Sequence, residues 1–135
     1  IVPIRGAARL LASLPRENWA LVTSARAELA CARMGAAGLP MPEIVVTSND
    51  VLQGKPHPAC FLKALERLDV SACDAVVFED AAAGLAAARA AGCRIIALAT
   101  TSPADRLEPE DWLHDLDRVE LLDVQDEGKL LLHFR

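Results

Sequence analysis

The sequence predicts an α/β fold, a three-layer, Rossmann-like α/β/α arrangement with a mainly parallel sheet. Two observations carry that prediction. Four short runs, NWALVT, EIVVT, DAVVFE and CRIIAL, are rich in apolar residues without polar alternation, which is the pattern of strands buried on both faces. Between them lie longer segments with apolar residues at helical spacing. The chain therefore reads strand, helix, strand, helix, and that order folds as parallel βαβ units with helices on both faces of the sheet.

The first element is a helix within residues 4 to 14, where Ile4, Ala7, Ala8, Leu10, Leu11 and Leu14 recur at helical spacing. Pro15 stops it, because a proline disfavours the α conformation in the residue before it. NWALVT is the first strand and closes on two small hydroxyl residues, Thr23 and Ser24. ARAELACARMGAAG is helical and stops at glycines, the usual residues of a left-handed helix end. EIVVT is the second strand. PACFLKALERLDV is a helix entered through His57 and Pro58. DAVVFE and CRIIAL are the third and fourth strands, flanking the helix AAAGLAAARAAG. The tail from Ser102 is rich in acids and prolines; it accommodates a short helix and then a hairpin turning at Glu127-Gly128 before KLLLHF. The βα units occupy about residues 1–100 and a C-terminal extension 101–135, together making one partial core domain.

Composition narrows the function. At 135 residues and 14.4 kDa the chain supports one domain with a core rather than two. No apolar run approaches the roughly 18 residues that cross a bilayer. A net charge of -5 leaves no basic surface for a phosphate backbone, and aromatic residues at 4% are too few to stack bases, so neither a membrane nor a nucleic acid is an expected partner. Cys31, Cys60, Cys73 and Cys93 lack zinc spacing and read as buried free thiols of a cytoplasmic protein. The opening IVPIRG carries neither an initiator methionine nor a targeting segment, and Ile1 is not expected to be the natural start. His57, His114, His133, Trp19, Trp112, Arg89 and Arg94 read as structural or surface residues.

Ligands of an open parallel sheet bind beyond the carboxyl ends of its strands, and three such ends carry chemistry here. Thr23 and Ser24 end the first strand just before a helix, where hydroxyls and free amides bind an oxyanion or the hydroxyls simply cap the helix. After the second strand, SNDVLQGKPHP holds Lys55 between Gly54 and two prolines, Pro56 and Pro58. An ammonium on so stiff a loop can face developing negative charge, although most lysines are solvated. Glu79 and Asp80 end the third strand. Adjacent carboxylates there are costly unless a cation is near, and Mg²⁺ takes such oxygens together with phosphate and water. The plainer alternative has Asp80 capping the next helix and Glu79 in solvent.

The ordered set ALVTSA, GKPHP and VVFEDAAAG resembles the haloacid dehalogenase superfamily of phosphohydrolases, most of all its sugar-phosphatase and β-phosphoglucomutase-like members. The likeness runs from about Ile4 to Leu98 and covers the C-terminal half of that core domain. The resemblance implies that Thr23 binds the transferring phosphoryl group with Ser24 beside it, that Lys55 steadies phosphate and nucleophile, and that Glu79 and Asp80 hold Mg²⁺. Gly84 falls where the family's EDxxxG pattern places a small residue. The implied activity is hydrolysis of a small phosphate monoester, a sugar or polyol phosphate, through an aspartyl-phosphate.

The family's first motif, DxD, is not found at the head of this chain; DLD at Asp115 to Asp117 follows the acid pair and no apolar strand leads into it. The nucleophile is therefore expected from a missing N-terminal segment, first strand and cap together, in cis or in trans. In the family's strand order that strand lies between the strand of Thr23 and the strand of Glu79, so its absence predicts a gap in mid-sheet. A phosphomutase and a catalytically inactive binding or split-protein partner stay open as alternatives. A receiver domain has its acids first and its lysine last, the reverse of this order, and a dehalogenase needs no metal.

Overall fold

The computed structural model describes residues 4–99, 111–124 and 130–134. Helix α1 spans Ala7–Ser13, shorter than its apolar pattern. Gly6 enters it at φ 83° with its Cα against the backbone of Leu116 and Asp117, where a Cβ would overlap. Leu14, already extended ahead of Pro15, closes it. Strand β1 is Ala20–Val22, α2 is Ala27–Ala36, β2 is Ile44–Val46 and α3 is Ala59–Leu68. Strand β3 (Val76–Glu79), α4 (Ala82–Ala91) and β4 (Arg94–Leu98) follow. Strands β5 (Asp111–Leu113), β6 (Val119–Val124) and β7 (Leu130–Phe134) complete the described chain.

The strands form two parallel sheets and a hairpin. Strand β1 pairs with β2 in register Ala20↔Ile44 to Val22↔Val46. Strand β3 pairs with β4, and β4 with β5. Among the described residues no ladder joins β1 to β3, so the sheet is split where the missing strand was expected. Strands β6 and β7 are antiparallel, as the hairpin reading requires; its turn at Glu127-Gly128 lies outside the described residues.

One helical layer spans the split. Helix α3 supplies Cys60, Phe61 and Ala64, and α4 supplies Ala87 and Ala88, to a core with Val46. Ala20 and Val22 of β1 and Val77 and Ile95 of β3 and β4 pack against it. Burying a side chain of the size of Phe61, 5% exposed, contributes about 2–3 kcal/mol, which helps to keep the two sheets side by side without shared hydrogen bonds. The opposite face has its own core, Ala7 and Leu10 of α1 with Leu98, Leu116 and Val119, joined by Phe78. Val77 and Phe78 thus point to opposite layers, as successive strand residues do, and helices cover both faces as predicted.

The tail adds an element that its reading did not include: Asp111–Leu113 forms a third parallel strand beside β4, while the stretch before it, where a short helix was expected, lies outside the described residues. The cysteines also differ from expectation: all are free, but only Cys60 is buried, while Cys31 and Cys73 are exposed. Cys31 lies off the buried face of α2, which is formed by Ala30 and Met34, and Cys73 lies in a short turn ahead of β3 that buries no residue. Trp112 is 43% exposed and sets its ring edge against His114, centroids 4.9 Å apart. Among the described residues no helix is long and apolar enough to cross a membrane.

Candidate active site

The site forms at the carboxyl ends of β1, β2 and β3, and Lys55 is where they meet. Its Nζ lies 2.9 Å from Glu79 Oε2 and donates at 3.5 Å to the carbonyl of Val22, the residue before Thr23. The ammonium also stands 5.2 Å from the ring centroid of Phe61. The side chain is 13% exposed, so it is not the solvated surface lysine of the plainer reading. Its loop is shaped by a cis Lys55-Pro56 peptide, a turn from the His57 amide to the Gly54 carbonyl, and His57 Nδ1, which accepts from the Ala59 amide as α3 begins.

Glu79 is held from three directions. Oε1 accepts from the amides of Asp80 and Ala81, at 3.0 and 3.1 Å, and Oε2 takes Lys55. Gly84, in the first turn of α4, is buried and its missing Cβ is the space that the Glu79 carboxyl and Cγ occupy. The small residue of the EDxxxG pattern is thus required by the carboxylate it faces. Glu79 is therefore not in solvent as the plainer reading had it: it bonds the amides just ahead of α4, whose N-cap, Ala81, offers no side-chain bond of its own.

Thr23 is half-buried and its Oγ1 accepts from the Ala25 amide at 3.1 Å, a hydroxyl-closed turn that leads out of β1. Ser24 beside it is exposed. Neither is the helix cap. Helix α2 starts later, behind Arg26, which is extended and gives no side-chain cap. The amide of Ala27 instead donates to Asn49 Oδ1 at 3.0 Å, from the loop after β2.

That loop contains residues the sequence reading passed over. The Asp50 carboxylate accepts from the Thr47 amide at 2.8 Å and its hydroxyl at 3.1 Å, and from Arg67 of α3 at 3.3 Å. The Thr47 amide, followed by the Thr47 hydroxyl and Arg67, holds the Asp50 carboxyl below its ordinary 3.8 against the opposing effect of partial burial. Arg67 also donates to the Val45 carbonyl. The hydroxyl-to-acid spacing of Thr47 and Asp50 is the one local signal of this turn. Behind Lys55, burial pushes the Cys60 thiol up, partly offset by the lysine's charge.

For a divalent cation the chain offers the adjacent carboxylates of Glu79 and Asp80, a hard oxygen pair of the sort Mg²⁺ accepts. Among the described residues no group of three or more His, Cys, Asp or Glu converges, so the pair suits an ion that takes its other oxygens from phosphate, water or a further segment. Asp115 and Asp117 do not contribute: Asp115 Oδ1 accepts from the Asp117 amide and Asp117 pairs with Arg5.

The sequence model of the family described as haloacid dehalogenase-like hydrolase matches residues 1–92. The chain is 43% identical over 117 residues to glycerol-1-phosphate phosphohydrolase 2 of Saccharomyces cerevisiae, covering 79% of this chain and 47% of that protein. It is 39% identical over 122 residues to hexitol phosphatase A of Escherichia coli, covering 88% of this chain and 56% of that one. Among solved structures, CbbY of Rhodobacter sphaeroides in complex with xylulose-(1,5)bisphosphate aligns with TM-score 0.76 and 27% identity, over 87% of this chain and 56% of that one. The chain spans about half the length of the curated relatives it matches.

Proposed function

The chain belongs to the haloacid dehalogenase-like hydrolases, and from that premise we propose that it is the phosphate- and metal-binding half of a Mg²⁺-dependent phosphatase of small polyol or sugar phosphates. The observation that carries the reading is the position of Lys55, which bonds the end of β1 and the acid at the end of β3 at once. Those two bonds support reading the three motif positions as parts of one site. The names of the relatives, a glycerol-1-phosphate phosphohydrolase and a hexitol phosphatase, favour a phosphorylated polyol.

In this mechanism the Thr23 hydroxyl and the turn behind it hold the phosphoryl oxygens. Lys55 offsets charge as it gathers on them, in a mostly buried setting where a fixed ammonium acts strongly. Glu79 and Asp80 would hold the cation, which supplies further neutralisation of the phosphate. The nucleophile is an aspartate from a further segment, whose carboxylate oxygen bonds phosphorus as the ester bond breaks and the alcohol leaves; water then hydrolyses the aspartyl-phosphate. That segment, with its cap, would seat its strand in the split between β1 and β3, where among the described residues two strand edges have no partner and backbone groups need one.

The test is release of inorganic phosphate from glycerol-1-phosphate, hexitol phosphates and sugar phosphates by the complete protein with Mg²⁺. Turnover of polyol phosphates with trapping of a phosphorylated aspartate is expected. Transfer of the phosphoryl group to a second sugar hydroxyl in place of water would make it a mutase. Failure to cleave any monoester would remove the catalytic reading and leave a binding domain.

A further inference from the structure

We infer that Asn49 is a positioning residue that couples the turn carrying Thr23 to the loop carrying Lys55. The inference rests on the phosphatase reading for its consequence in turnover, but not for its structural basis. Helix starts leave amides without intrahelical partners, and α2 begins behind Arg26, whose guanidinium has no acceptor to offer. The acceptor arrives from another loop, as Asn49 Oδ1 on the amide of Ala27. Two backbone bonds run beside it, from the Thr23 amide to the Val46 carbonyl and from the Ser48 amide to the Ala25 carbonyl. The path from Thr23 to the first residue of α2 is therefore located by the β2 loop.

Asn49 stands on a firm base. Its amide donates to Thr47 Oγ1 at 3.3 Å, Thr47 is 3% exposed, and Thr47 is bound in turn to Asp50, which Arg67 of α3 grips. A cap supplied by residue 26 itself would steady α2 alone. Supplied from the next loop, it also fixes the separation between the hydroxyl that receives phosphate and the lysine that faces it. Asn49 is exposed, so its replacement opens no cavity.

Asn49→Leu keeps the size and removes the acceptor; Asn49→Asp keeps an acceptor at the same place. In the complete protein we expect Asn49→Leu to speed hydrogen exchange at the Ala27 amide about fivefold, the loss typical of a cap. It should weaken inhibition by inorganic phosphate and raise KM by a similar factor, with kcat per folded molecule changed less than twofold. Asn49→Asp should restore all three. A purely structural role would instead lower kcat with the folded fraction and leave KM alone, and that result overturns the assignment. So does unchanged Ala27 exchange in Asn49→Leu, or an Asn49→Asp variant no better than the leucine. A wild-type protein that neither cleaves monoesters nor binds phosphate sinks the phosphatase reading by itself, while the exchange comparison still decides whether Asn49 joins the two loops.

Discussion

Lys55 and Glu79 form a salt bridge of 2.9 Å whose side chains are 13% and 12% exposed, joining the loop after β2 to the end of β3 across the split in the sheet. A pair this withdrawn from water is costly to break from one side, because the remaining charge loses its partner without regaining full hydration. Lys55→Met is expected to destabilise the chain by about 3 kcal/mol, near the low end for buried pairs since some solvent reaches both groups. Glu79→Gln should cost less, as its amide oxygen can still accept from Asp80 and Ala81. Urea unfolding of both variants and the double variant should give a coupling of about 2 kcal/mol. Additive losses would show that the bridge holds nothing together.

Gly84→Ala is a sharper probe of the same carboxylate. Alanine in place of glycine inside a helix normally gains up to about 1 kcal/mol. Here the new Cβ would stand where the Glu79 carboxyl and Cγ lie, and overpacking of this kind costs about 1–3 kcal/mol. The expected outcome is a net loss of stability, read by thermal melting, with loss of turnover as Glu79 is pushed off Lys55. A stabilised variant would mean that Glu79 has room elsewhere and that its present placement is not specific.

Much of this site was legible because its residues stand at places with strong local signals. Thr23 and Glu79 end apolar runs, and Lys55 sits between a glycine and two prolines. The split sheet was legible only through the family resemblance, since no local pattern reports a strand's neighbour. Asn49, Asp50 and Arg67 were not legible: Asn49 bonds a residue 22 positions away and Arg67 lies 17 from Asp50, and TSND by itself reads as an ordinary turn. Strand β5 escaped because Asp111–Leu113 is three residues long, lies in an acidic tail and exposes its tryptophan, so neither alternation nor an unbroken apolar run marks it.

Asp50 sets an acid limit on the loop. Its folded pKa lies below the ordinary 3.8, chiefly through the Thr47 amide. A depressed carboxyl contributes stability that is complete above the unfolded value, about 3.9, and is lost as pH falls through the folded one. Below about pH 4 the wild type should therefore lose stability more steeply than Asp50→Asn, which has no proton to take up. Melting temperatures from pH 2 to 7 measure this. Parallel pH profiles for the two proteins would show that the Thr47–Asp50 contact does not distinguish folded from unfolded chain.

Thr23 offers the most direct test of the proposed phosphate recognition, because that proposal adds a second, separable duty to the bond its hydroxyl oxygen accepts from the Ala25 amide. Thr23→Ser keeps the oxygen that accepts from the Ala25 amide and can still donate to a phosphoryl oxygen; Thr23→Val preserves shape and loses both. In the complete protein, Thr23→Val should lower kcat/KM for a polyol phosphate on the order of 10²-fold, as removal of one transition-state donor does, and Thr23→Ser should fall within about tenfold of wild type by the same measure. Chelation by EDTA should abolish turnover in all three and Mg²⁺ should restore it, with Asp80→Asn needing more of the ion. If the valine variant turned over like wild type, phosphate would have to be held elsewhere, and the end of β1 would be only a turn into α2.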